Sequence, residues 1–351
     1  MRFNYLRNML FGALLLSQPA LAVDHCPAAG VVEQHCGFPA PEDIDVMPNG
    51  KDLLFSAFGG IDGEHPQAFH IYNPETGTAK PIVYLQEKEA VRWDNNLCDS
   101  PATQILGSHG VHISKRSDGH WQLLAVNHSR ESVEMYAIID SQLAWRGCVT
   151  FPPLANLNDV TAIPSGGFLV THMMDRRPEL SLAEAMSTPG DPGFVWRWLP
   201  DNGLDKLPGS ESAIPNGIAI SADGQHVFIA ATAAQQVKKI AYHSGELLGT
   251  VPAASADNFS WTPDGKLLIT GINGAMPPEC MSSMAACMAP FQVTAIDPLS
   301  LASQLIWQQT GLPAGAGTVA VEHQGYLYMG SFRGNQVLKV PLSALKKPDT
   351  K

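Results

Sequence analysis

Residues 157 to 170 read Leu157-Asn158-Asp159-Val160-Thr161-Ala162-Ile163-Pro164-Ser165-Gly166-Gly167-Phe168-Leu169-Val170: a polar pair, a strand-like run, a glycine turn and a second strand-like run. A turn closing on glycine between apolar runs is the strongest short-range signal for a β-hairpin. Five more turns have this form: Pro48-Asn49-Gly50 before Leu53-Leu54-Phe55, Ser117-Asp118-Gly119 before Leu123-Leu124-Ala125-Val126, Ala222-Asp223-Gly224 before Val227-Phe228-Ile229, Pro263-Asp264-Gly265 before Leu267-Leu268-Ile269, and His323-Gln324-Gly325 before Tyr326-Leu327-Tyr328. Successive turn glycines lie 41 to 69 residues apart, the length of one four-stranded blade with variable loops. Six units predict an all-β chain folded as a six-bladed β-propeller. The competing reading, a β-sandwich with unrelated hairpins, does not account for turns recurring at whole-blade intervals.

The residues before each turn carry the functional information. Glu42, Asn158, Asn216 and Asp257 each stand eight residues before their turn glycine, followed by Asp43, Asp159, Gly217 and Asn258. His109 stands ten before Gly119, and Gly317-Thr318 fills the place in the sixth unit. The innermost strand of every blade starts at one mouth of the central channel, so a fixed offset predicts a ring of these side chains around the axis. Glu, Asp and Asn oxygens without a soft ligand suit Ca²⁺ rather than Zn²⁺ or copper. Neighbours such as Glu42 and Asp43 cannot point the same way from a regular strand, so a local irregularity or a difference in depth must separate them.

Arg2 and Arg7, the apolar run Met9 to Leu16 and Ala20-Leu21-Ala22 together read as a signal peptide over 1–22, leaving 23–351 as a single exported propeller domain, periplasmic or secreted. That run is too short for a stable membrane anchor. Its removal takes away two arginines and no acid, which moves the formal net charge from −11 to −13. Nucleic acid and anionic membrane surfaces are poor partners for such a chain. Gly 31 and Pro 27 make about a sixth of the 351 residues, as a turn-rich fold requires. In an oxidising compartment six cysteines without a C-x-x-C spacing read as disulfides. Fifteen pairings are possible; proximity favours Cys26 with Cys36 and Cys280 with Cys287, leaving Cys98 with Cys148.

Glu42-Asp43-Ile44, Ser108-His109-Gly110-Val111, Ala125-Val126-Asn127-His128, Leu157-Asn158-Asp159-Val160, Asn216-Gly217-Ile218 and Asp257-Asn258, in this order, resemble the paraoxonase/arylesterase family and, more distantly, the gluconolactonase and regucalcin group. The resemblance runs from about residue 40 to about 340 and implies a propeller with two calcium ions in its tunnel. By resemblance Glu42, Asn158, Asn216, Asp257 and Asn258 hold an upper, catalytic ion. Asp43, Asp159 and the backbone carbonyl of Val111 hold a deeper, structural one. His109 and His128 match the family's histidine dyad, whereas His112, His120 and His226 read as ordinary core or surface residues. Two departures stand out. No cysteine follows Cys287, so ring closure must rest on strand pairing, by a segment near Val31 to Phe38 joining the last blade. A family histidine near the pocket falls at Ile272-Asn273 here, so substrate preference cannot be carried over.

The function implied is calcium-dependent hydrolysis of lactones or aryl esters, a small-molecule reaction, with His109 assisted by His128 activating water. Asp257 stays open as an alternative base or nucleophile. The rival reading is a non-catalytic propeller that binds a protein or glycan through its rim loops, with calcium structural. The oligomeric state is open, a monomer being favoured. Pro178 to Met186 reads as a short helix near the mouth. Met276 to Met288, with Cys280 and Cys287, reads as a stapled lid loop with adaptable apolar contact; a soft copper site is the alternative. Gly315-Ala316-Gly317-Thr318-Val319-Ala320 fits a loose dinucleotide pattern, but strand and hairpin follow it instead of a helix, and no G-x-S-x-G, H-E-x-x-H or P-loop occurs.

Overall fold

The computed structural model describes residues 21–22, 24–26, 28–60, 69–85, 91–95, 97–101, 108–177, 184 and 193–346. They form six sheets, three of four strands and three of five, antiparallel but for one parallel rim pair. Their inner strands, Ile44–Val46, Ser108–Lys115, Leu157–Ala162, Pro215–Ile220, Ala256–Trp261 and Gly317–His323, adjoin one another in a closed circle. The protein is a six-bladed β-propeller. All six turns that follow the inner strands place glycine at positive φ, from 65° at Gly50 to 115° at Gly166, where a side chain would be strained.

The apolar runs are continuous because a blade is covered on both faces. Along the second strand of blade two, Leu123 and Ala125 pack against blade one, while Leu124 and Val126 pack against blade three. Leu267 and Ile269 of blade five likewise face blade four, and Leu268 faces blade six. Six clusters of this kind, one between each pair of neighbouring blades, make the core a ring. Leu124 is 1% exposed, so Leu124→Ala costs about 2–5 kcal/mol.

Closure occurs by strand pairing. Glu33–Cys36 lies antiparallel to Gln336–Pro341 of the last blade, with Cys36 opposite Gln336 and Glu33 opposite Lys339, and Lys339 Nζ reaches Glu33 at 3.2 Å. The three disulfides are Cys26–Cys36, Cys98–Cys148 and Cys280–Cys287. The fifth strands exceed the four per blade that the repeat predicts: Leu21–Ala22 borders blade one, Tyr84–Leu85 pairs in parallel at the rim of blade two, and Asp24–His25 extends blade six. No helix among the described residues is long and apolar enough to cross a membrane. The segments read as a signal peptide and as the helix over 178–186 lie almost wholly outside the described residues.

Candidate active site

One irregularity recurs at the same level of five inner strands. His109 and Gly110 together oppose one residue of the neighbouring strand, and so do Asn158 with Asp159, Asn216 with Gly217, and Asp257 with Asn258. Thr318 is the extra residue in blade six. Each is a β-bulge, which bends the strand and re-aims side chains. In blade three the bulge lets two successive residues serve the axis, Asn158 at the mouth and Asp159 deeper. In blade one Glu42 and Asp43 occupy this level just before the strand, with the Ser56 amide donating to the Asp43 carbonyl at 2.9 Å.

Threonines fix the bulges to the blades beside them. The Thr171 hydroxyl donates to the Asn216 carbonyl, that of Thr232 to the Ala256 carbonyl and that of Thr318 to the Glu42 carbonyl, each at 2.6 Å. The sixth unit therefore contributes a positioning hydroxyl where the others contribute a side chain to the ring. Glycine is required where the strands crowd: a Cβ on Gly110 would fall on Asp159 Oδ1 and on the Asn158 carbonyl, and one on Gly217 on the Asp257 carbonyl.

At the upper level Glu42 Oε1 accepts from Asn258 Nδ2 at 2.7 Å and lies 3.6 Å from His109 Nε2. Asn158 Nδ2 sits 3.4 Å from His109 Nε2 and 3.1 Å from Met173 Sδ. Burial, then Asp257 and Asp43, hold the Glu42 carboxyl well above the usual carboxylate range. Burial pushes Asp257 up to about 8, partly offset by Asn216. Five oxygens here are buried with no hydrogen-bond partner: Glu42 Oε2, Asn158 Oδ1, Asn216 Oδ1, Asp257 Oδ1 and Asn258 Oδ1. Buried polar atoms are nearly always satisfied. Two carboxylates and three amides, those of Asn158 and Asn258 with their NH₂ groups engaged by neighbours, therefore fit a hard cation with oxygen ligands. Among the described residues no group of three or more His, Cys, Asp or Glu gathers as a ligand set; amides make up most of this one.

The deeper set is arranged differently. Asp43 accepts from the amides of Ile44 at 2.8 Å and, across to blade two, Val111 at 2.7 Å. Asp159 does the same with Val160 at 2.7 Å and, across to blade four, Ile218 at 2.8 Å. These carboxylates clip neighbouring blades together. Asp45 repeats the clip one step down, on Val46 and Ile113, a bond pattern the sequence did not announce. Burial, followed by Asp159, raises the Asp43 carboxyl well above its usual range. Asp43, Val111 and Asp159 line a cavity of about 420 Å³ that runs down the axis between all six inner strands.

His109 Nδ1 lies 2.9 Å from His128 Nε2, and the Phe58 ring packs on His109 with centroids 4.6 Å apart. Burial, then His128, holds the His109 pKa well below the ordinary histidine value. Behind the dyad His128 Nδ1 meets Glu131 Oε1 at 2.7 Å, and Glu131 is ion-paired with Arg176. Neither Glu131 nor Arg176 carries a repeat position or motif in the sequence. His112 lines the tunnel lower down and His120 sits on an exposed turn, both apart from the set. At the position of the family histidine, Asn273 Nδ2 donates to Gln292 at 3.2 Å.

The methionine-rich loop is stapled as read. Cys280 and Cys287 are bonded and buried with Ile272, Ala289 and Ala316, so neither thiolate is available to copper. The loop reaches Arg333 through the Cys280 carbonyl at 2.6 Å and Met284 Sδ at 3.2 Å. Arg333 lies over the Phe58 ring at 5.8 Å.

Residues 66–271 match the family model described as SMP-30/Gluconolactonase/LRE-like region. Human serum paraoxonase/arylesterase 1 is 24% identical over 241 residues, which cover 64% of this chain and 63% of that protein. Two solved structures share the fold: a gluconolactonase from Xanthomonas campestris, with TM-score 0.54 and 16% identity over 95% of this chain and 99% of its own, and regucalcin, a calcium-binding protein from Agrobacterium tumefaciens, with TM-score 0.52 and 12% identity over 87% and 90%. With more than half of its length inside the family model, the chain belongs to the SMP-30/gluconolactonase/LRE-like family.

Proposed function

We propose that the protein is a calcium-dependent hydrolase of lactones or aryl esters, acting at the upper mouth of the tunnel. The observation that carries this reading is the set of five unpartnered oxygens beside the buried His109. Glu42, Asn158, Asn216, Asp257 and Asn258 would hold one calcium ion. Asp43, Asp159 and the Val111 carbonyl would hold a second, which relieves the repulsion between the two deep carboxylates. A calcium ion in the upper set supplies Lewis-acid charge for an ester carbonyl and its oxyanion.

The remaining steps belong to side chains. His109 Nε2 takes a proton from water as the water oxygen bonds to the carbonyl carbon, and His128 steadies the imidazolium through Nδ1. The ester C–O bond then breaks, and the proton on Nε2 passes to the departing alkoxide, which in a lactone stays attached as the new hydroxyl. Phe58 keeps water off one face of the His109 ring. Asp257, a carboxylate of the same upper set, is the alternative base or nucleophile. An exported location goes with the three disulfides.

A panel of lactones and phenyl esters, assayed with purified protein in calcium and after chelation, tests this. Turnover that vanishes on chelation and returns with calcium supports it. A calcium-loaded protein that hydrolyses none of the panel would favour a binding propeller instead.

A further inference from the structure

We infer that Glu131, backed by Arg176, is a positioning residue that sets the tautomers of both histidines and leaves the Nε2 atom of His109 bare to accept a proton. This rests on the reading of His109 as the base. Glu131 sits in the turn after His128 with φ of 44°, a left-handed conformation that non-glycine residues seldom take. The turn is locked by the Ser129 amide on Asn127 Oδ1 at 3.0 Å and by the Phe151 amide on the Glu131 carbonyl at 3.0 Å. It sends the side chain back into the interior, where Glu131 is 6% exposed. There Oε1 meets His128 Nδ1 at 2.7 Å and Arg176, while Oε2 accepts the Leu157 amide at 3.2 Å. Leu157 precedes Asn158, so one carboxylate ties the dyad of blade two to the bulge of blade three.

The proton positions follow from donor and acceptor counting. Glu131, paired with a guanidinium, only accepts, so His128 carries its proton on Nδ1. His128 Nε2 is then an acceptor, and the 2.9 Å contact requires His109 Nδ1 to donate to it. With Nδ1 donating, a His109 that serves as base has Nε2 as its acceptor atom, and that atom faces the bulge residue Asn158. Glu42 Oε1 pulls the other way from 3.6 Å, favouring a proton on His109 Nε2 that would block the base. Glu131 is closer to its histidine by nearly an ångström, whereas Glu42 Oε1 already accepts from Asn258. Without Glu131 the chain of hydrogen bonds is free to reverse. The outer partner fixing which ring nitrogen reacts is a general device for histidines at reactive centres.

The test uses full-length, calcium-loaded protein labelled with ¹⁵N-histidine, with resonances assigned from His109→Gln and His128→Gln. One-bond N–H couplings should place the His109 proton on Nδ1, with none on Nε2. Glu131→Gln can donate to His128 Nδ1 and should move the His109 proton to Nε2. Lactone kcat should then fall roughly 10²–10⁴-fold, the range general-base catalysis spans, with KM and calcium content unchanged. In a His128→Gln background Glu131→Gln should cost nothing further. A proton on His109 Nε2 in the wild type overturns the inference, even should the variant not fold; the same tautomer in wild type and Glu131→Gln does so too. The spectra need no substrate, so a protein with the expected tautomers and no hydrolysis would sink the proposed activity while leaving this arrangement standing.

Discussion

Replacing Glu42 by Gln separates the charge of the upper site from its shape. Glu42 is 1% exposed, one of its oxygens is bonded to Asn258 and the other has no partner. Its carboxyl is raised by burial and by two neighbouring acids. Gln keeps an oxygen for Asn258 and removes the buried charge, so in chelator the variant should be the more stable protein. Taking the uncompensated burial as worth at least ~1 kcal/mol, and ~2.1 cal/mol/K of unfolding entropy per residue, the 351-residue chain should melt at least 1–2 °C higher. In calcium the order should invert. Ligand at a hundredfold excess over Kd stabilises the wild type by about 2.7 kcal/mol, a rise of about 4 °C on the same scale. The variant, short of a charged ligand, should rise by less than about 1 °C. Thermal scans of both proteins at pH 8, in chelator and over a calcium series, read this directly. A Glu42→Gln protein that melts below wild type in chelator and gains as much from calcium would refute the cation assignment.

Other perturbations separate the levels of the site. His109→Gln should lower lactone turnover by roughly 10²–10⁴-fold with calcium content intact on metal analysis, and His128→Gln should cost less; activity near wild type in the first would return Asp257 to the role of base. Asp159→Ala strips the acceptor from the Val160 and Ile218 amides, each worth ~1–3 kcal/mol when left buried and unpaired, so melting should fall by several degrees, whereas Asn216→Ala should mainly lower turnover. Gly110→Ala would drive a methyl into Asp159 and the Asn158 carbonyl; displacing that bulge should cost ~1–3 kcal/mol and lower calcium uptake in a titration, and an unchanged titration would count against the bulge as the organising element.

The blade count was legible because a propeller fixes the length of its inner strand, which turns a structural ring into a constant sequence offset. The ten-residue offset of His109 has a physical reason: the inner strand of blade two, Ser108–Lys115, is longer than those of the other blades. The need for an irregularity between Glu42 and Asp43, or Asn158 and Asp159, could be deduced from strand geometry. Its form, one extra residue at the same level of five strands, is a matter of register that single side chains do not encode. Closure by the segment near Val31 to Phe38 was readable from the missing late cysteine. Glu131 was not, because it lies in a turn and meets an arginine 45 residues away. The Asp45 clip was hidden likewise, since its partner amide belongs to the next blade and leaves no mark on sequence.

The pairing of Glu33–Cys36 with Gln336–Pro341 also dictates a timetable. The early strand is made about three hundred residues before the strand it must pair with, so no chain that still lacks its last blade can seal the ring. Until the last blade arrives, that blade's outer place is vacant and the early segment is an unpaired strand, the kind of edge that invites intermolecular association. Contacts this distant in sequence make ring closure slow relative to blade formation. If the chain is exported as proposed, closure after translocation, where Cys26–Cys36 can oxidise beside the seam, would put the final folding step and the bond that secures it in the same compartment.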